Sequence, residues 1–494
     1  MKRFLIKYTT LILAVITLAS CQDFLDVNDD PNNPTTVTPN LILPAGQNYS
    51  AKVLKNQNRI NSLANLMMYN WSQADGYAWY PDEFKYLVTS SFYDDIFEDT
   101  YSTALKQYQI LTKLEEPYNN YIAIGMIMKV YHFQLLVDLY GDVPYTEALQ
   151  RSTEATPAYD DAQTIYEDLI VQLSAAIDTI KNAPNTAVVP GDDDAMFGGD
   201  MTEWIKFSNS LKLRILVRQS SMSGRSSYIT EQFNAILAEG TGFITTDVGI
   251  NPGYIEGEED KQNPMWDAFG KDASGTETMN NKATCASDYV LEYMKQTNDT
   301  REGYIYEEPS TGFLGVPQGL LDYDTPVVDA YTFDKVSNLG PGILKSGNMD
   351  AVIYTLAECY LNLAEAEVRG LVTLTQTPKE LYEAGIHASF DYLGADDAEA
   401  YYSQVKNLVG WDSSSNKLEA IITQKWLATN SITAEQSWFD YSRTGYPSNL
   451  PISLQASTSD RPVRLFYPAS EISSNGDNVP AQPNAFTEKI FWGN

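Results

Sequence analysis

Histidine and cysteine are nearly missing from this chain: its 494 residues hold two of the first and three of the second. Two isolated histidines, His132 and His387, argue against a multi-histidine zinc centre and give little support to a Ser-His-Asp triad. His132 sits in the apolar run from Ile127 to Leu139, where a packed, hydrogen-bonded histidine is expected rather than a catalyst. Three cysteines fall far below the density of a disulfide scaffold. Positive charge is also scarce, with 33 Lys and Arg against 65 Asp and Glu and a net charge of −32. A surface of that sign repels phosphate backbones, which argues against a nucleic-acid partner, and it disfavours lying flat on an anionic bilayer. The acidity serves solubility, and no acidic active site is read from it.

What is present begins at the amino terminus. Lys2, Arg3 and Lys7 precede the apolar run Leu11-Ile12-Leu13-Ala14-Val15-Ile16, and small residues follow. This is the pattern of a secretory leader over residues 1–20. The run is too short for a membrane span, which needs ~20 residues. Leu18-Ala19-Ser20-Cys21 fits a bacterial lipobox, so the leader is expected to be cut before Cys21, whose thiol takes a lipid while the new amino terminus is acylated. Buried chain methylenes at ~0.8 kcal/mol each would then hold the protein at a membrane. Loss of Lys2, Arg3 and Lys7 makes the mature chain three charges more acidic. Residues 21–40 are acidic and broken by Pro31 and Pro34, which reads as a tether. Asp26, Asn28, Asp29 and Asp30 lack the glycine turn and closing glutamate of an EF-hand loop.

From about residue 41 to the end the pattern is mostly helical. Ile124, Ile127, Met128, Tyr131, Leu135 and Leu139 recur at three- and four-residue steps and predict one buried face. Gly141-Asp142-Val143-Pro144 should stop that helix. Asp161 to Ile180 repeats the pattern, and Asp200 opens a helix that buries Trp204, Phe207, Leu211, Ile215 and the aliphatic stem of Arg218. Residues 241–349 are glycine- and proline-rich, with helical periodicity only around Ser287 to Lys295; they read as a loop-rich insertion of the kind that carries binding residues. Helix resumes at Asp350, its expected cap, and closes at Gly370. A second helix follows Thr377-Pro378, with Leu381, Gly385, Ile386 and Phe390 facing inward. This helix–loop–helix logic is tetratricopeptide-like. A further helix spans Leu418 to Leu427, before a coil-rich tail. Cys359 reads as a small core residue, and a bridge from it to Cys285 stays open.

Five segments then match one pattern in order: Val137-Asp138-Leu139-Tyr140-Gly141-Asp142-Val143-Pro144-Tyr145-Thr146-Glu147-Ala148; Trp204 to Arg214; Ala357 to Ala366; Ile421 to Trp426 with Trp438 to Pro447; and Arg464 to Glu471. Behind a lipobox, the chain resembles the SusD/RagB family of outer-membrane nutrient-binding lipoproteins, and within it the SusD-like subfamily. The resemblance implies a single, mostly α-helical domain of tetratricopeptide-like pairs with an irregular ligand face. It implies lipid anchorage on the exterior of the outer membrane, with Asp23 and Asp26 similar to an export signal. It also implies a SusC-like TonB-dependent transporter as partner, a glycan or other nutrient as ligand, no cofactor and no catalysis. Trp204, Tyr360 and Trp426 fall on apolar helical faces and read as core. Arg443 with Thr444-Gly445-Tyr446-Pro447 reads as a turn pinned by a guanidinium.

No family motif marks the ligand site, so it is sought among loop aromatics, whose faces stack on sugar rings while nearby amides meet the hydroxyls. Tyr77, Trp79 and Tyr80 form one cluster; Asn263, Trp266 and Phe269 with Asn280 and Asn281 form the other. Tyr304, Tyr306 and Phe313 are further candidates. The same rings suit loop packing or contact with the transporter, and both readings stay open. Asp192, Asp193, Asp194 and Asp200 have the density of a calcium site, but a solvated loop leading into a helix cap explains them as well. Two rival functions remain: a glycoside hydrolase, for which no carboxylate pair stands out by spacing, and an adhesin or assembly lipoprotein that binds protein only.

Overall fold

The computed structural model describes residues 38–150, 153–321 and 328–493. The leader, Cys21 and the tether as far as residue 37 lie outside the described residues. The first helix, α1 (Pro39–Lys55), opens on a proline, whose missing N–H is no loss in a first turn. The other long helices are α2 (Asn119–Tyr140), α3 (Ala162–Lys181), α4 (Met201–Arg218), α5 (Ser226–Glu239), α6 (Leu356–Val368), α7 (Pro378–Leu393), α8 (Lys417–Thr429) and α9 (Ala434–Thr444). Strands are few and short: β1 (Trp71–Gln73) pairs with β5 (Thr284–Ala286), β2 (Val143–Pro144) with β3 (Tyr159–Asp160), and β4 (Val248–Ile250) with β6 (Ala351–Tyr354), all antiparallel. The architecture is mostly α, as the periodicity predicts. Consecutive helices α2 and α3, and α6 and α7, pack as pairs, which is as far as the fold carries the tetratricopeptide expectation.

The caps explain where the helices begin. Asp161 accepts from Thr164 N, Asp200 from Thr202 N and Glu203 N, and Asn416 from Glu419 N, each satisfying a first-turn donor. Thr377 and Glu380 bond reciprocally at the start of α7. Asp350 does not cap α6. Residues 351–354 instead form a fully buried strand against β4, and Thr355 caps the helix through Glu358 N.

α2 departs from the one-face expectation: α3, α4, α1 and the short helix Lys106–Leu111 surround it, so most of its length is buried on every side. It is long and apolar enough to cross a membrane, but 83% of that stretch is enclosed by the rest of the protein. His132 on this helix is fully buried and shares a 2.7 Å hydrogen bond with Ser50 Oγ.

The motif residues converge on one buried charge network. Arg214 reaches Glu358 through two bonds of 2.7 and 2.8 Å. Arg443 makes the same fork to Glu365, at 2.6 and 2.8 Å, and touches Asp440 at 2.9 Å. Lys425 meets Asp440 at 2.8 Å, and Arg218 links Asp440 to Asp138. Arg218 is thus buried to its charged head, not along its stem, and Arg443 lies within α9 rather than in a turn; Gly445 in the left-handed region ends that helix. Burial works against the charge on Asp440, yet Lys425, Arg443 and Arg218 hold it well below the usual carboxylate range. Trp204 and Trp426 are fully buried, while Tyr360 is half-exposed.

The insertion is more ordered than its composition suggests. It carries the helices Pro264–Phe269, Met279–Ala283 and Asp288–Thr297 as well as β4 and β5. Its glycines let backbone meet backbone: a Cβ on Gly315 would stand 2.4 Å from the Ser287 carbonyl oxygen, and one on Gly340 would stand 2.7 Å from that of Tyr304. The tail from Gly445 is mostly coil, yet it buries Leu465, Tyr467 and Trp492 against the helices.

Candidate functional site

Two segments that lie far apart in the chain meet because β1 pairs with β5. Trp71 faces Ala286 and Gln73 faces Thr284, so residues just after β1 lie beside residues just before β5. Ala74 N continues the ladder by donating to the Ala283 carbonyl. Gln73 is buried and ties down the loop that follows: its Nε2 donates to the Tyr77 carbonyl, and its Oε1 accepts from Trp79 N. Asp75 pins a third segment, accepting from Val328 N at 2.6 Å while its own N–H donates to the Tyr331 carbonyl.

On this frame Trp79 and Asn280 come together. The indole Nε1 donates to Asn280 Oδ1 at 2.6 Å. Asn280 Nδ2 donates in turn to Gln57 Oε1 at 2.6 Å and to the Ala268 carbonyl at 3.0 Å. Tyr77 stands edge-on to Trp79, with ring centroids 6.1 Å apart. Both rings are half-exposed, and Gln57 is exposed. Burial raises the Tyr77 phenol, so it stays a neutral donor at physiological pH. The result is two half-exposed aromatic faces held by Asn280, itself buried, with exposed Gln57 beside them; the faces can stack on a sugar ring and Gln57 can meet its hydroxyls.

The remaining candidates divide differently. Tyr80 is buried and hydrogen-bonded to Thr284 Oγ1 at 2.6 Å. Phe269 is buried with its ring 5.0 Å from Trp71. Asn263 is buried, caps the helix Pro264–Phe269 and donates to the Met349 carbonyl. These three are spent on holding the loops and do not reach the surface. Trp266 is half-buried over Gly270, where a Cβ would come within 2.8 Å of its ring. Asn281 donates to the Phe269 carbonyl, Tyr306 is buried against the Asn70 carbonyl, and Tyr304 and Phe313 are half-buried.

Three contributors carry no sequence signal. Gln57 lies 223 residues from Asn280, in the turn after α1. Phe333 is exposed with Lys282 Nζ 5.8 Å from its ring centre, and Tyr331 packs with Tyr77 on a small apolar cluster of Ala74, Cys285, Val316, Leu321 and Val336. Cys285 thus floors the site, while Cys359 lies in α6; both are buried and unpaired, so no bridge joins them.

The aspartates near residue 200 are a solvated loop leading into a cap only in part: Asp192 and Asp200 are exposed and Asp200 caps α4, while Asp194 turns inward. Asp194 is buried and accepts from Gln47, Gly199 N and the Trp204 indole; Asp193 accepts from the Tyr121 hydroxyl. With Asp200 capping α4, the carboxylates of Asp193, Asp194 and Asp200 are engaged in hydrogen bonds, and among the described residues no cluster of metal-ligand type appears.

Residues 31–468 match the model of the SusD-like family described as starch-binding and associating with the outer membrane. The chain belongs to the SusD-like family. No curated protein matches it in sequence. Similar solved structures include a chitin-binding SusD homologue from Flavobacterium johnsoniae, with 19% identity, TM-score 0.76 and coverage of 92% of this chain and 98% of that one. A SusD homologue from Bacteroides vulgatus has 20% identity, TM-score 0.74 and coverage of 92% and 97%, and one from Bacteroides uniformis has 21%, 0.72, 92% and 99%. At such identities the likeness establishes the fold of this SusD-like protein, and the family match establishes carbohydrate binding at the outer membrane as the family property. The family consists of carbohydrate-binding proteins, not enzymes, which sets the glycoside hydrolase reading aside.

Proposed function

We propose that this SusD-like protein is a surface-exposed lipoprotein, anchored through Cys21 and its acidic tether, that captures an oligosaccharide and passes it to a SusC-like TonB-dependent transporter. The capture surface is Tyr77, Trp79 and Gln57, held from beneath by the buried Asn280, with Trp266 and the Lys282–Phe333 pair assigned to its border. The observation that carries the reading is the hydrogen-bonded relay from Trp79 through Asn280 to Gln57 beside two half-exposed rings. A preorganised platform of this kind loses little side-chain freedom on binding, so more of the stacking energy reaches the affinity.

Starch is the glycan in the family description, and chitin is the ligand named for two similar structures. Titration calorimetry of the soluble chain from Gln22 onward, against malto-, chito- and other neutral oligosaccharides, tests the reading. Saturable heat that Trp79→Ala abolishes, with the fold intact by circular dichroism, supports it. Silence across the panel, with a transporter barrel still recovered after mild detergent extraction, overturns the glycan site and leaves the protein-binding reading.

A further inference from the structure

A second cleft lies between the short helix Lys106–Leu111, α2 and the loop 144–150, built from residues the proposed glycan surface does not use. Its two lobes, of about 520 and about 450 Å³, share Gln109, Lys113 and Gln150. Each lobe is within the size of a small-ligand pocket. Apolar groups from Tyr101, Ile110 and Leu149 line one lobe, and Tyr145 borders the other.

The charge is the unexpected part. In a chain with 65 acids against 33 bases, three lysines converge here: Lys106 and Lys113 on one lobe, Lys113 and Lys129 on the other. Among the described residues none of the three forms an ion pair with a carboxylate, whereas Lys181, Lys206 and Lys425 each do. Lys129 donates to Gln109 Oε1 at 2.6 Å, which leaves two of its N–H bonds. The one acid at the cleft, Asp168, is occupied by the Tyr145 hydroxyl at 2.5 Å and by Gln172 Nε2 at 3.2 Å. Burial and the neighbouring charge of Lys113 lower Lys129 to about 8. Asp168 offsets part of this, yet a half-buried ammonium beside a second one is costly, and an anion between them relieves both terms.

We propose that this cleft is a second saccharide site, selective for a sugar bearing a carboxylate or sulfate group. Lys113 and Lys129 bracket the anionic substituent, Lys106 draws it in, and Tyr101 with Leu149 covers the apolar face of the ring. The experiment is calorimetry of the full mature chain with trigalacturonate, a chondroitin sulfate oligosaccharide, maltotriose and inorganic sulfate as probes. Lys113→Gln, Lys129→Gln, their combination and Trp79→Ala are compared with the unaltered protein. The expected result is saturable binding of an acidic oligosaccharide, weakened at least tenfold in the double variant and by added salt, and unchanged in Trp79→Ala. Lys113 is exposed, so its single replacement keeps the test open if the double variant fails to fold. No binding of either acidic oligosaccharide overturns the proposal. So does binding that Trp79→Ala abolishes, or inorganic sulfate binding as tightly as the oligosaccharides. Loss of maltotriose binding in Trp79→Ala concerns the other surface and leaves this one standing.

Discussion

Trp79 and Asn280 are 201 residues apart in sequence and 2.6 Å apart in the fold, joined by the indole N–H and the amide oxygen. Neither residue holds the position alone. The ladder between β1 and β5 brings their segments together, and Gln57 and the Ala268 carbonyl fix the amide from the other side.

Asn280→Ala removes the indole's acceptor and the amide's two donations at once. Each neutral hydrogen bond is worth about 0.5–1.5 kcal/mol. The expected outcome is roughly tenfold weaker glycan binding by calorimetry, with an unchanged far-ultraviolet spectrum. Unaltered affinity would remove Asn280 from the site.

Arg443→Met takes the two-bond partner from buried Glu365, which keeps only Arg369, and one of three cations from Asp440, which keeps Lys425 and Arg218. Breaking one side of a buried pair costs about 3–5 kcal/mol. Urea unfolding followed by helical ellipticity should show a large drop in midpoint. Adding Glu365→Met should recover part of it, because the uncompensated charge then goes as well.

His132 gives a pH dependence of known sign. Burial lowers it to about 3, while in the unfolded chain it titrates at its ordinary value near 6.5. Between those values the unfolded state binds the extra proton, so stability is lost as the pH falls below about 6.5, by up to ~1.4 kcal/mol per unit from this group. Among the groups packed on the ring, Ser50, Tyr108 and Tyr131 are neutral across that range. His132→Gln should flatten the acid limb of the stability profile; an identical limb would contradict the assignment.

Gly385→Ala tests the contact between α6 and α7. A Cβ there would stand 2.6 Å from Leu361 Cγ and 3.3 Å from the Ala357 carbonyl oxygen. Overpacking of this order costs about 1–3 kcal/mol, against a helix-propensity gain of about 1 kcal/mol. A lower melting temperature is the expected balance, and a raised one would mean that the helices separate freely.

Much of this fold was legible in the sequence because helices are local. The helix starts at Asp161, Asp200 and Thr377 and the stop at Gly370 act within one turn of the residues they bound. The strand Ala351–Tyr354 was not legible: four consecutive buried residues running into a helix carry no period that separates strand from helix. Nor was the all-round burial of α2, which depends on how many neighbours surround it.

The chain by itself determined the helical class, the order of the motifs and the basic and apolar pattern ahead of Cys21, since each is written in adjacent or periodically spaced residues. It also marked both aromatic clusters. Only the tertiary structure decided which rings remain at the surface: Tyr77 and Trp79 do, while Tyr80 and Phe269, equally aromatic and equally near, close over the core. It also decided that Gln57 joins Asn280 and that Lys113 and Lys129 face one cleft. The physical reason is the same in each case: exposure and long-range contact depend on what packs across the fold, and a residue's own neighbours in sequence do not fix that.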